Sequence, residues 1–173
     1  MSGIGVSRTG AEQRAAAFVA LAQAELPSLY RLAALIVGNE ALAEDLVGDA
    51  IERGWQTWPQ LRDAERFRPW ITRIVVNGCR DELRRRQRVR FVALEDESGR
   101  PSPATDSIDA RDAIARAFAS LDADERAVAV LRLDQDLALR EVARRLGIPL
   151  GTAKSRLHRA LAQMRTELSR TDR

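Results

Sequence analysis

The sequence has little cysteine, histidine and aromatic content, and it has no long apolar run. Cys79 is the single cysteine among 173 residues, which excludes an intrachain disulfide and a paired Cys-x-x-Cys zinc site. No stretch approaches the roughly 18 apolar residues of a membrane span, and the N-terminus lacks the apolar segment of a signal peptide. One histidine, His158, and no phosphate-binding glycine loop leave no catalytic constellation. We therefore predict a cytoplasmic protein, not an enzyme, without cofactor or metal.

The charges that are present alternate by block. The net charge is only +3, but the pI is near 9.9 because 27 of the 28 basic residues are arginines. Glu40 to Glu52 contains five acidic residues and no basic one, whereas Arg80 to Arg90 contains six arginines and two acids. Leu150 to Arg165 contains four basic residues and no acid. This alternation indicates that different blocks meet different partners.

Apolar residues recur at helical spacing almost throughout, so we predict an all-α fold of two small helical domains joined by a flexible linker. The first helix is expected from about Phe18 to Val37, ending at the Gly38-Asn39 pair. The second is expected from Asn39 or Glu40 to just before Pro59, and the third from about Phe67. Four more helices are predicted around Ile114–Leu121, Val128–Leu133, Val142–Leu146 and Leu157–Leu168.

Composition also predicts the domain boundaries. Residues 1–15 resemble a mobile tail, and residues 93–110 form an acidic, proline-containing segment without apolar periodicity, which is typical of a linker. The two predicted domains are therefore residues 16–92 and 111–173.

The third helix carries a basic stripe. Arg73, Asn77, Arg80 and Arg84 are separated by 4, 3 and 4 residues, so they share one side of a helix that turns about 100° per residue. Apolar residues such as Val75 occupy the other side and are expected to pack inward. The stripe is therefore predicted to face solvent.

The segment LREVARRLGIPLGTAKSRLHRALAQM has the pattern of a helix-turn-helix motif, with its turn at Gly147. Lys154 and His158 fall on one side of the second helix, and Leu157 and its apolar neighbours fall on the other. Basic and short polar side chains on such a helix suit the DNA major groove, although a solvated basic face is the alternative. Ala138 lacks the side-chain cap expected at the start of the first helix, a deficit of about 1 kcal/mol.

Both halves together resemble the extracytoplasmic-function sigma factors. LDADERAVAVLRLDQDLALREVARRLGIPLGTAKSRLHRAL is similar to their region 4. LYRLAALIVGNEALAEDLVGDAIERGWQTW followed by FRPWITRIVVNGCRDELRRRQR is similar to their region 2. The resemblance covers about positions 18 to 168. It implies a specificity subunit of bacterial RNA polymerase whose first domain reads and melts the minus-10 element and whose second domain reads the minus-35 element.

The resemblance also implies the DNA-contacting residues. For the minus-35 element they are Gly151, Thr152, Lys154, Ser155, Arg156, His158 and Arg159. For the minus-10 element they are Arg73, Asn77, Arg80, Arg84, Arg85 and Arg86. Asn77 aligns with the position that binds a flipped base in this family, and an amide can donate and accept at a base edge, whereas arginine only donates. The alternative for Asn77 is an ordinary surface amide.

The acidic helix is implied to bind the polymerase. Asp45, Asp49, Glu52 and Arg53 are expected on its outer face, against the clamp helices of core RNA polymerase, and an ordinary solvated face is the alternative. The resemblance implies promoter DNA, the clamp helices and flap of the polymerase large subunits, and an anti-sigma factor as partners, without membrane insertion. Gly48 and Gly54 depart from the usual family pattern, and each is expected to weaken this helix by roughly 1 kcal/mol.

Two other classes of protein are alternatives to the sigma factor. A helix-turn-helix repressor or activator would bind operator DNA without polymerase, usually as a dimer, and an enzyme is disfavoured by the missing catalytic groups. Base-stacking roles are conceivable for the three tryptophans, but tryptophan beside leucine at helical spacing is typical of a core. Cys79 is predicted to be a small buried filler and not a redox switch.

Overall fold

Seven α-helices make up the computed structural model, which describes residues 10–61, 63–93 and 110–171, and no β-strand occurs among these residues. The helices are α1 Gly10–Val37, α2 Glu40–Thr57, α3 Phe67–Ala93, α4 Ala110–Ala119, α5 Ala123–Leu133, α6 Leu139–Leu146 and α7 Leu150–Thr171. Two short 3-10 turns, Trp58–Gln60 and Ala64–Arg66, connect α2 to α3. The predicted all-α fold is confirmed.

The first helix begins at Gly10, eight residues before the predicted start at Phe18. Apolar periodicity does not reveal this extension, because it consists largely of alanine and polar residues that favour a helix by propensity alone. The extension packs locally, since the Trp58 indole Nε1 donates to the Arg14 carbonyl at 3.3 Å. The rest of the predicted tail, residues 1–9, lies outside the described residues, as does the predicted linker except for its ends, Ala93 and Ala110.

Glycines end two of the helices. Gly38 follows α1 with φ +71°, and Gly147 follows α6 with φ +64°, both in the left-handed region that favours glycine. Asn39 then caps α2, because its Oδ1 accepts a hydrogen bond from the Leu42 N–H at 2.8 Å. The Gly38-Asn39 pair therefore ends one helix and begins the next. Ala138 makes no side-chain cap, as the sequence predicted.

Helices α1, α2 and α3 pack around an aromatic centre, and together they form the N-terminal module. Phe18 and Phe67 meet edge to face with ring centroids 5.6 Å apart, and Trp58 contacts both rings. Trp70 joins this cluster, so the predicted core role holds for Trp58 and Trp70. Trp55 touches Phe18 but remains 47% exposed, so its predicted core role is only half right.

Gly54 has a packing role that helix propensity does not show. A Cβ at this position would lie 2.8 Å from the Cδ1 of Ile71 on α3 and 3.6 Å from the Phe18 ring. The missing side chain therefore lets α2 approach α3 closely. Gly48 has open space around it, so the predicted weakening of α2 applies there without such compensation.

Helix α5 is the centre of the C-terminal module, which comprises α4 to α7. Ala127 through Leu131 are all fully buried, so this part of α5 has no exposed side. It packs against α6 and α7 of its own module and also against α1 and α3 of the other. A helix that is apolar all round must be enclosed, and here both modules are needed to enclose it. One continuous apolar core therefore joins the two modules.

Candidate nucleic-acid interface

The helix-turn-helix prediction matches the geometry of α6, the Gly147 turn and α7. On α7, Ala153 and Ala160 are fully buried against the module core, whereas Lys154 and His158 are exposed. The predicted separation of core and outer surface is thus present. We call the exposed side, formed by Lys154, Ser155, His158 and Arg165, the outer face of α7.

Two side chains of the outer face present donors that are not engaged elsewhere. Within the described part of the chain, the side chains of Lys154 and His158 make no ion pair or hydrogen bond. The Ser155 hydroxyl donates to the Thr152 carbonyl at 3.0 Å. Gly151 is exposed in the first turn of α7, and a Cβ there would meet nothing within 4 Å. Two cationic or polar side chains and an uncrowded first turn are therefore available to bases and phosphates.

Two other predicted contact residues of α7 are engaged within the C-terminal module. Arg156 Nη2 lies 2.7 Å from Asp124 Oδ2, and Arg159 Nε lies 2.6 Å from Glu125 Oε1. Asp124 and Glu125 occupy the first turn of α5, whose N-cap Asp122 accepts from both of their backbone N–H groups. Sequence reasoning missed this acidic turn as part of the site, because acids in a first turn are ordinary partners of the helix dipole.

The basic stripe of α3 reaches the same acidic turn. Arg80 Nε and Nη2 both lie 2.8 Å from Asp124 Oδ1, and Arg84 Nη2 lies 2.8 Å from both carboxylate oxygens. Arg80 is only 8% exposed, so the prediction that the whole stripe faces solvent is wrong. The periodicity of one helix shows which residues share a side, but not that a distant helix packs over that side. Arg73 remains exposed, in agreement with the prediction.

Asp124 is therefore surrounded by three guanidinium groups, two from α3 and one from α7. We call Asp124 with Arg80, Arg84 and Arg156 the arginine seam. Burial acts to raise the pKa of Asp124, but the hydrogen bonds from Arg80 and Arg84 outweigh it and hold that pKa below its ordinary value. Nη1 of Arg156 is buried and has no hydrogen-bond partner. The seam thus contains more positive charge than its single carboxylate neutralises.

The remaining predicted minus-10 residues of α3 differ in their contacts. Asn77 is half-buried, and its Oδ1 accepts a hydrogen bond from Arg80 Nη1 at 3.4 Å. Arg85 and Arg86 are exposed, and each donates to Glu82 at 2.7 Å. These hydrogen bonds lower the pKa of Glu82 to about 2. The amide of Asn77 therefore lies between the exposed Arg73 and the arginine seam.

The acidic helix is arranged as predicted. Asp45, Asp49, Glu52 and Arg53 are all exposed on α2. Leu46 and Ala50 on its opposite side are buried in the core of the N-terminal module. This charged surface, which we call the acidic face of α2, is formed by residues other than those of the arginine seam.

The last two predictions concern the single cysteine and membrane-spanning segments. Cys79 is fully buried, and its burial raises the pKa of the thiol to about 12, which agrees with an inert core residue. In the part of the chain that is described, no helix is long and apolar enough to cross a membrane.

Comparison with known proteins assigns both modules. The family model for Sigma-70 region 2 matches residues 21–89, and the model for Sigma-70, region 4 matches residues 117–166. The ECF RNA polymerase sigma factor SigL of Mycobacterium tuberculosis is 36% identical over 145 residues, which cover 81% of this chain and 82% of SigL. The chain belongs to the extracytoplasmic-function sigma factors.

Other relatives agree with this assignment. The ECF RNA polymerase sigma factor SigE of Mycolicibacterium smegmatis is 34% identical over 149 residues, covering 82% of this sigma factor and 58% of SigE. The solved structure of the sigma factor RpoE of Bartonella quintana, in complex with the anti-sigma factor NepR, superposes with a TM-score of 0.68 at 28% identity. That superposition covers 90% of this sigma factor and 98% of RpoE. The arginine seam of this sigma factor therefore joins region 2, which contains Arg80, to region 4, which contains Asp124.

Proposed function

We propose that this sigma factor directs bacterial core RNA polymerase to its promoters, with region 2 engaging the minus-10 element and region 4 the minus-35 element. The observation that carries the proposal is the presence in one chain of both sigma regions, each with basic and polar side chains at its surface. Its partners are core polymerase, promoter DNA and, like RpoE with NepR, an anti-sigma factor. No catalytic role is part of this function.

In region 4, the outer face of α7 reads the minus-35 element. Lys154 and His158 supply exposed donors, and Ser155 lies beside them on the same helix. A single α-helix fits the major groove, where such side chains reach guanine and adenine edges. Thr152 and the uncrowded Gly151 contact backbone phosphate at the first turn of α7. Arg156 and Arg159 join this contact after release from the acidic turn of α5.

In region 2, Asn77 receives a base that leaves the non-template strand. Its amide can donate and accept at once, which matches the edge of an unpaired base. The exposed Arg73 and the arginines towards the C-terminus of α3 follow the phosphate backbone beside it. Asn77 is therefore more important for strand separation than for the initial recruitment of the holoenzyme.

The acidic face of α2 docks on core polymerase. Its acidic side chains project from a rigid helix whose other side is fixed in the core, which suits docking on a basic helical surface. The docking and DNA-binding surfaces are formed by different residues, so substitutions can separate their functions.

Run-off transcription with purified core polymerase and a promoter library tests the proposal. The unaltered chain should produce promoter-specific transcripts, and their absence across the library would contradict the assignment. The double variant Asp45→Lys/Asp49→Lys should lose binding to core polymerase. Glu40→Lys/Glu44→Lys is the matched control, because it makes the same charge change at two other exposed positions of α2. A repressor-like protein would instead bind its DNA without polymerase, and neither double variant would change that binding.

Permanganate footprinting tests the role of Asn77. Asn77→Ala should leave recruitment of the holoenzyme nearly intact and reduce the reactivity of unpaired thymines around the minus-10 element. Footprints equal to those of the parent protein would reject the base-binding role.

A further inference from the structure

A groove lies between the N-terminal turns of α1 and the end of α2, in a part of the N-terminal module to which the proposed function assigns no role. Its volume is about 660 Å³, and its lining is largely apolar. Ala11 and Ala15 line it from α1, whereas Trp55, Trp58 and Pro59 line it from α2 and the turn that follows. The region 2 match begins at residue 21, so the family assignment does not account for the α1 side of this groove.

The groove is built on the aromatic centre of the N-terminal module. Phe18 contacts Trp55 and Trp58 edge to face, with ring centroids 5.3 and 5.6 Å apart. The Trp58 indole Nε1 donates to the Arg14 carbonyl at 3.3 Å, which joins the two sides of the groove. Because these contacts are already made in the chain alone, a partner does not have to order the groove in order to bind it.

Trp55 is the exposed wall of this groove. It is 47% exposed, whereas Trp58 is 9% exposed. A large aromatic side chain left half in solvent beside an apolar groove is typical of a surface that binds another protein. The apolar surface available to a partner therefore extends from the groove onto α2.

The groove is continuous with the acidic face of α2. Gln56 lines the groove, and its Nε2 donates to Glu52 Oε1 at 3.4 Å, one turn back on the same side of the helix. With a rise of about 1.5 Å per residue, Trp55 lies about 9 Å beyond Asp49 and about 15 Å beyond Asp45 along α2. One helix of a partner can therefore contact the acidic face and the groove at once.

We propose that the groove is an apolar anchor for core RNA polymerase, and that it takes one large apolar side chain from the basic helical surface on which the acidic face of α2 docks. The inference rests on the proposed function and deepens it, because it adds an uncharged part to the same docking surface. Charge complementarity identifies the occupant, since the acids next to the groove favour a basic partner and disfavour promoter DNA.

The two parts of this docking surface should respond differently to salt. Ion pairs of exposed acidic side chains are screened as the ionic strength rises, whereas the burial of apolar surface is not. A polymerase complex that uses both parts should therefore keep the contribution of the groove when salt has removed the contribution of the acidic face. This difference separates an apolar anchor from a general effect of charge.

Binding of the full chain to immobilised core polymerase tests the anchor. Ala15→Arg places a long cationic side chain in the groove. Ala16→Arg is the matched control, because it makes the same change at the next residue, which is exposed and is not among those that line the groove. Trp55→Ala removes the exposed wall without changing the charge, and Trp55→Phe retains an aromatic ring there. Far-UV circular dichroism and thermal unfolding establish that each variant is folded.

Ala15→Arg and Trp55→Ala should each weaken binding to core polymerase about ten- to hundredfold, the range expected for the burial of one large apolar side chain. Ala16→Arg and Trp55→Phe should bind almost as the parent does. The loss caused by Trp55→Ala should persist at high salt, whereas the loss caused by Asp45→Lys/Asp49→Lys should shrink.

Equal affinities of Ala15→Arg and Ala16→Arg, or a loss in Trp55→Ala that disappears at high salt, would overturn the proposal. If Ala15→Arg does not fold, Ala11→Arg in the exposed first turn of α1 takes its place. An affinity of that variant equal to the affinity of Ala16→Arg would also overturn the anchor.

A second copy of the chain is the other occupant that the experiment identifies. In that case the free chain would self-associate in sedimentation, and Ala15→Arg would abolish the association without changing the affinity for core polymerase. That result would overturn the proposal.

Failure of the anchor is distinguishable from failure of the proposed function. A parent chain that yields promoter-specific transcripts, while Ala15→Arg binds core polymerase as tightly as the parent, retains its function and loses the anchor. A parent chain that yields no transcripts loses both.

Discussion

The arginine seam and the outer face of α7 have similar basic composition but opposite surroundings. In the seam, Arg80 and Arg84 are bound by Asp124 and one of them is buried. On the outer face, Lys154 and His158 are exposed. A basic pattern in the sequence therefore locates cations without showing which anion binds them. The arginine seam and the outer face of α7 are thus unequally accessible to DNA.

Breaking the contact at Arg126 should have the largest effect on stability. Arg126 lies close to the seam in sequence, two residues after Asp124, and its guanidinium makes buried hydrogen bonds in both modules. Arg126→Met leaves the carbonyls of Ile36, Ala119 and Leu121 without their donor. Each buried polar group left unpaired costs roughly 1–3 kcal/mol, so we expect the free energy of unfolding to fall by at least about 3 kcal/mol. Urea denaturation measures this change.

Arg132→Met is the matched control for that experiment, because Arg132 lies on the same helix and its ion pair within the described residues is with Asp136, which is 94% exposed. It should change the free energy of unfolding by about 0.5 kcal/mol or less. Similar losses in the two variants would contradict the role of Arg126.

Protonation of Asp124 should dissolve the seam while leaving the outer face of α7 unchanged. Its folded pKa lies below the ordinary value of 3.8, so its stabilisation is complete well above that pH and is lost as the pH falls through the folded value. Asp124→Asn should lower the free energy of unfolding by about 1–3 kcal/mol at neutral pH, and the difference from the parent should shrink in acid.

Acid and urea titrations of both proteins measure this convergence. Asp136→Asn is the control, because it makes the same chemical change at a carboxylate that is almost fully exposed. A constant difference between Asp124→Asn and its parent down to the acid limit would contradict the charged role of Asp124.

Removal of the Lys154 amine should affect DNA binding without affecting the seam. Lys154→Ala is expected to weaken promoter binding by the holoenzyme by about 1–3 kcal/mol if Lys154 reads a base, with relaxed specificity at one minus-35 position. A phosphate contact would give a smaller and sequence-independent loss. Binding assays on single-base promoter variants distinguish these outcomes.

Thr166→Ala controls for general damage to α7, because Thr166 is exposed and its hydroxyl donates to the Ala162 carbonyl of the same helix. Arg159→Ala should weaken binding less than Lys154→Ala, since Arg159 must first leave Glu125. Unchanged promoter activity in both Lys154→Ala and Arg159→Ala would refute the minus-35 assignment.

The two unusual glycines of α2 should give the smallest effects, and they sharpen the same contrast between open and packed surfaces. Gly48→Ala is expected to raise the free energy of unfolding by about 0.5–1 kcal/mol, because Gly48 is exposed in a helix interior. Gly54→Ala should show no such gain, because its methyl group would meet Ile71 Cδ1 at 2.8 Å in a filled core. Thermal unfolding measures both, and equal stabilisation would contradict the packing role of Gly54.

Local sequence determined the helices and the turn that joins α6 to α7. Apolar periodicity located all seven helices, and Gly147 marked the reversal, because both signals act over a few residues. The same periodicity assigned Lys154 and His158 to the exposed side of α7. It also placed Asp45 and Asp49 on the exposed side of α2, opposite the buried Leu46.

Only the tertiary structure decided what the arginines of α3 bind. Arg80 and Asp124 are separated by 44 residues, and no pattern within either helix encodes their contact. The complete burial of Val128 through Leu131 likewise depends on helices from both modules. Burial and ion pairing depend on which helices pack together, whereas periodicity reports only which residues of one helix share a side.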